Sequence, residues 1–118
     1  MDGASVREEV LGREYVARAT APRTPAHAEL QRFVTEVAWG TWARGVLERR
    51  DRSLLTLGIT AALGRMEEFE LHLRGATNNG ISDEELDEVI LHIGVYAGVP
   101  AALAARRALD RSRDDSQT

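Results

Sequence analysis

The side chains best placed for chemistry lie in Arg65–Gly80, RMEEFELHLRGATNNG. Arg65, Glu68 and His72 stand at i, i+3 and i+7, so one helix face carries all three, and Gly75 and Asn79 continue the line. A carboxylate four residues before a histidine can orient the imidazole and raise its pKa, which suits general acid–base work near neutrality. The same spacing also describes an exposed Glu–His pair worth about a few tenths of a kcal/mol, and such pairs are common enough that spacing alone favours this plainer reading. His92 shares a line with Glu85, Glu88 or Val89, and Tyr96, a second acid–His–Tyr face or an idle surface histidine. His27 has no obvious partner and is given no role. These three histidines lack the spacing of a two-His metal helix. Arg49, Arg50 and Arg52 cluster at a predicted helix start, where a cation opposes the helix dipole; a carboxylate ligand, an acidic partner surface or a solvated ion-pair network would each account for them. Trp39 and Trp42 read first as core or interface anchors and only second as a ligand box.

Composition narrows the chemistry. The 118 residues contain no cysteine and no lysine, so thiol nucleophiles, thiolate metal sites, disulfides and Schiff bases are all excluded. All 15 cations are arginines, against 19 acidic residues, and the net charge of −4 argues against nucleic acid as the main partner. No run approaches the roughly 18–20 apolar residues of a membrane helix, and the first residues lack the apolar core of a signal peptide, so a cytoplasmic protein is expected. The length suits one domain, 1–118, with residues 111–118 a polar tail expected to fray.

The elements that must position these residues are helical nearly throughout. Ser5 and Glu8 have capping-box spacing ahead of a stripe of Val6, Val10, Leu11 and Tyr15. Thr24 and Pro25 open a second helix, with Leu30, Phe33, Val34 and Val37 at helical spacing. Asp51 reads as the N-cap of a third, whose Leu54, Leu55, Leu57, Ile59, Ala61 and Leu63 are apolar on most sides and predict a central, buried helix. Arg65–Thr77 is amphipathic, with Met66, Phe69, Leu73 and Ala76 on an apolar stripe that contrasts in character with the Glu68/His72 face. Asn79-Gly80 stops it, Ser82 to Glu85 forms a capping box for the next helix, and Gly98-Val99-Pro100 separates that helix from the last. No strand alternation appears. The expectation is all-α, a compact bundle of about six helices of ordinary length.

With those elements in place, the chain resembles the carboxymuconolactone decarboxylase family. The matching stretches are VLGREYVARA, VAWGTWARGVLERRDRSLLTL and the run from Ala61 to Ala102; RSLLTL, ELHLRGATNNG and VYAGVPAA are the most specific pieces. The resemblance implies an alkylhydroperoxidase-D-like helical fold, association into trimers or hexamers, and neither metal nor organic cofactor. The family's peroxidase-like branch places cysteines where this chain has Arg65 and Glu68, so the resemblance is to the cysteine-free decarboxylase branch, which keeps the histidine and a nearby carboxylate. It implies decarboxylation of 4-carboxymuconolactone to 3-oxoadipate enol-lactone, a step of protocatechuate catabolism. His72, positioned by Glu68, would deliver a proton or stabilise an oxyanion; Arg49, Arg52 or Arg74 would hold substrate carboxylates, with Tyr96 and Trp39 as further pocket candidates. The chain departs from the family pattern around Pro25–His27, over Thr41–Leu47 and at Leu103, Arg106 and Arg107. These changes motivate a second reading, a relative acting on another lactone or enolisable carbonyl compound, and a third, a non-catalytic ligand-binding or assembly protein of the same fold.

Overall fold

A computed structural model of the protein describes the backbone of residues 2–117 and the side chains of residues 2–115. Among these the regular structure is helical, without strands: α1 (Gly3–Leu11), α2 (Arg13–Thr20), α3 (Pro25–Val34), a π-helical turn (Thr35–Trp39), α4 (Gly40–Trp42), α5 (Arg49–Ala62), α6 (Met66–Asn78), α7 (Asp83–Ala97) and α8 (Val99–Gln117). There are more segments than about six because the first predicted helix is split and the second runs through the π turn into α4. The chain forms two compact units, residues 1–49 and 50–118.

In the first unit, Asp2 caps α1, its carboxylate accepting from the Ser5 N–H at 2.8 Å. The helix therefore starts before Ser5, which the capping-box spacing had marked as the cap; aspartate is an equally good cap and lies in the position to take that N–H. Gly12, at φ 96°, then breaks the chain between α1 and α2, so Tyr15 belongs to a different helix from Val6 and Val10. Thr24 and Pro25 start α3 as expected, with the Thr24 hydroxyl accepting from the His27 N–H at 3.1 Å. α1 packs on the π turn at Gly3, where an added Cβ would sit 2.5 Å from the Thr35 carbonyl oxygen. Only a residue without a side chain permits that approach.

The second unit is built on Leu57 and Ala61 of α5, Phe69, Leu73 and Ala76 of α6, Leu86, Ile90 and Ile93 of α7, and Ala105, Ala108 and Leu109 of α8. α5 begins at Arg49, with Asp51 in its first turn, where a carboxylate favours the dipole, instead of at the cap. Its burial is one-sided: Leu57 and Ala61 are enclosed, while Leu55, Ile59 and Leu63 are more than half exposed, against the expectation of a helix buried all round. α6 ends at Asn79, and Ser82 opens α7 with both bonds of its capping box to Glu85 in place. The segment expected to fray from Arg111 is helical to Gln117. Arg111 bonds Glu70 of α6, and Arg113 pairs with Asp87 of α7 at 3.0 Å, so charged side chains extend α8 past its apolar stripe.

Candidate functional site

α6 carries three of the candidate residues, Glu68, His72 and Arg74. Its Phe69, Leu73 and Ala76 face the core, and the helix is covered broadly enough that His72 and Gly75 are buried too. The sequence pattern placed His72 on a polar face of the helix; the structure leaves it only 8% exposed. Glu68, one turn earlier, is exposed. Burial pushes the His72 imidazole down from its ordinary 6.5 to about 4. Desolvation disfavours the cation, and it is the cause of this shift. The expectation that Glu68 would raise this pKa is therefore reversed in sign: His72 is neutral at pH 7. A neutral imidazole keeps one N–H donor and one acceptor nitrogen, so it can donate to a developing oxyanion or take up a proton.

The arginine candidates separate. Arg49 ends the first unit, and its Nη1 donates to Glu9 Oε2 at 2.5 Å. Arg52, half-buried on α5, and Arg74, exposed on α6, belong to the second unit with His72. Arg50, between the two α5 candidates, bonds the Glu85 carboxylate and so ties the start of α5 to the capping box of α7. Tyr96 is 80% exposed on α7, its ring 4.8 Å from that of His92. Trp39 is 4% exposed and lies against Trp42 with ring centroids 5.1 Å apart, which makes it a core residue of the first unit. At the departures from the family pattern, Arg106 bonds Asp87 at 2.8 Å and Asp110 at 2.7 Å, while Leu103 is 53% exposed. Arg106 thus fastens α8 to α7, and together with Arg113 it holds the Asp87 carboxyl below the usual carboxylate range.

One contact at the end of α6 was not singled out from sequence. Asn79 Nδ2 donates to Ser53 Oγ at 2.9 Å, and Ser53 is fully buried. The bond fixes the C-terminal end of α6 against α5, one residue from Arg52. The only signal for it was that Asn79 continues the His72 line while also serving as a stop residue. Among the described residues no group of three or more His, Cys, Asp or Glu is placed to hold a metal ion, and no helix is long and apolar enough to cross a membrane.

The second unit thus holds a buried, neutral histidine on α6 and arginines on α5 and α6, and the chain has no thiol. Residues 28–111 match the carboxymuconolactone decarboxylase family, and the chain belongs to that family. It is 44% identical over 104 residues to a 4-carboxymuconolactone decarboxylase of Acinetobacter baylyi, an alignment covering 87% of this chain and 78% of the relative. It is also 43% identical over 115 residues to a nitrosuccinic acid decarboxylase of Metarhizium robertsii, covering 97% of this chain and 80% of the relative. The chain is a decarboxylase of this family.

Proposed function

We propose that the protein is a cofactor-independent decarboxylase that converts 4-carboxymuconolactone to 3-oxoadipate enol-lactone, with the alkylhydroperoxidase-D-like fold of its family. The observation that carries this reading is the buried, neutral His72 on α6, within the stretch that matches the family. In the lactone, the bond from the γ-carbon to its carboxylate breaks and CO₂ leaves. The electron pair moves through the ring alkene to the lactone carbonyl oxygen, and a proton then adds at the α-carbon. The substrate holds its own electron sink, so the protein must bind carboxylates, stabilise the dienolate oxygen and exclude water.

A neutral imidazole suits this task better than a cation. An imidazolium would pair with the substrate carboxylates before reaction as well as with the oxyanion after it, and uniform binding of that kind does not lower the barrier. A neutral N–H gains most where charge appears in the transition state. We therefore assign His72 to oxyanion stabilisation, with Glu68 and Tyr96 at its margin. Carboxylate binding is assigned to Arg52 and Arg74, which share a unit with His72 and whose guanidinium forks match carboxylates bidentately.

A second substrate is supported by the nitrosuccinic acid decarboxylase at nearly equal identity. Nitrosuccinate poses the same problem: a carboxylate leaves a carbon whose electron pair is accepted by an adjacent group, here the nitro oxygens, while a second carboxylate stays bound. The two readings separate by direct assay of the purified protein with each compound. Faster loss of the lactone is expected. Turnover of nitrosuccinate alone would move the assignment to the nitro acid, and turnover of neither would overturn both.

We also propose that the protein assembles as a homo-oligomer, a trimer or hexamer. Three exposed apolar stripes at helical spacing support it, each with side chains more than half exposed: Leu30, Phe33 and Val37; Leu55, Ile59 and Leu63; Leu91 and Val95. Size-exclusion chromatography is expected to show a species at least three times the 13.0 kDa chain mass, and elution as a monomer would refute it.

A further inference from the structure

The first unit contains a groove of about 290 Å³ lined by Thr20, Ala28, Gln31, Arg32, Thr35 and Glu36. None of these residues belongs to the unit that carries His72. Behind the groove lies Arg7, 6% exposed, whose Nη1 donates to Thr35 Oγ1 at 3.1 Å and Nη2 to Gln31 Oε1 at 2.9 Å. A guanidinium only donates, so it dictates what its neighbours present on their other side. The Gln31 amide must turn its oxygen to Arg7, which leaves its NH₂ group to donate elsewhere. The Thr35 hydroxyl spends a lone pair on Arg7 and keeps its proton to give.

Two charged residues complete the lining. Arg32 and Glu36 are four apart, yet among the described residues they form no ion pair with each other or with another side chain. Two features of the helix separate them. A cation placed before the anion is the poorer order for an i, i+4 pair. The π turn that starts at Thr35 also widens the spiral between them, and such turns recur at functional sites. The Thr20 hydroxyl donates to the Val16 carbonyl at 2.7 Å, so toward the groove it offers an acceptor oxygen. The groove thus presents donors from Arg32, Gln31 and Thr35, and acceptors from Glu36 and Thr20.

We propose that this groove is a second ligand site, which takes a small carboxylate carrying its own hydrogen-bond donor, a hydroxyl or an ammonium. The carboxylate lies on Arg32, Gln31 and Thr35, and the donor on Glu36 and Thr20. Its volume is just below the ~300–1,000 Å³ usual for small-molecule sites, ample for a small carboxylate, so the polar groups and not the size set the selectivity. Glu36 disfavours dianions, so the site selects against dicarboxylates such as those the decarboxylation reading requires. This inference does not depend on that reading.

The test is an amide-resolved NMR titration of the full chain with lactate, glycine, acetate and succinate. Saturable shifts are expected at Thr20, Gln31, Arg32, Thr35 and Glu36 with lactate or glycine, whichever donor the site prefers, with weaker binding of acetate and succinate. Arg32 is exposed, so Arg32→Gln leaves the fold intact, and it is expected to weaken binding about 10- to 100-fold through loss of a charge-assisted bond. Glu36→Gln is expected to bring succinate up to the affinity of lactate. Absence of saturable shifts at these residues, unchanged affinity in Arg32→Gln, or succinate binding as tightly as lactate to the unaltered protein would each overturn the proposal.

Discussion

Replacing His72 with alanine is expected to lower kcat for 4-carboxymuconolactone by about 10²–10³-fold with little change in KM, the signature of losing one oxyanion donor. His72→Gln is expected to recover part of that loss, because the glutamine amide also carries an N–H donor but cannot exchange a proton near neutral pH. Equal damage from the two substitutions would point instead to proton transfer. The pH profile separates the roles independently. With the imidazole value pushed down to about 4, a requirement for neutral His72 predicts kcat/KM flat from neutrality and lost as pH falls through about 4. A requirement for the protonated form predicts the reverse, activity rising with acid.

The same burial links His72 to stability. Its folded-state value of about 4 lies below the ordinary 6.5 of the unfolded chain, so the unfolded chain binds the proton more readily and acid favours unfolding. The stability is complete above about 6.5 and falls as pH drops from there to about 4, by roughly 3 kcal/mol in all. Denaturant midpoints of the unaltered protein and of His72→Gln, measured across this window, are expected to converge toward low pH as the substituted chain escapes the titration. Parallel curves would mean that the imidazole is solvated in the folded protein.

Local signals proved legible where one side chain decides the outcome. The Thr24–Pro25 start and the Ser82–Glu85 capping box follow from local side-chain–backbone bonds, and they stand where the sequence placed them. The features that were not legible depend on a neighbour. The π turn has no composition of its own and lies where Gly3 lets α1 approach the backbone of Thr35 and Trp39. The periodicity of α5 announced apolar sides correctly, but the chain alone covers only the Leu57 and Ala61 side. His72 was read as the edge of a polar face because pattern counts charges, whereas burial depends on how many helices cover α6. Its depressed pKa could not be foreseen from Glu68, which shares the helix but not the burial. The polar α8 tail looked like a frayed end because its arginines' partners on other helices, Glu70 of α6 and Asp87 of α7, are invisible to a local window.

Phe69→Ala is expected to destabilise the second unit by about 3–5 kcal/mol, the cost of an unfilled aromatic cavity in a core that cannot collapse onto it. Phe69 is 1% exposed, is among the largest fully buried side chains of the described residues, and is the one aromatic ring in a core cluster otherwise made of Leu, Ile and Ala. The substitution also tests the account of His72. Phe69 precedes it by three residues on α6, so the two side chains occupy neighbouring positions on the helix surface. Water admitted at the cavity reduces the desolvation that holds the imidazole down, and the His72 value is expected to climb from about 4 back toward 6.5, as read by NMR titration of the ring. A large stability loss with the pKa unmoved would show that His72 owes its neutrality to covering from another side of α6; a loss below about 1 kcal/mol would show that the core repacks around the missing ring. If both shifts occur together, the packing that stabilises this unit is also what keeps the histidine neutral.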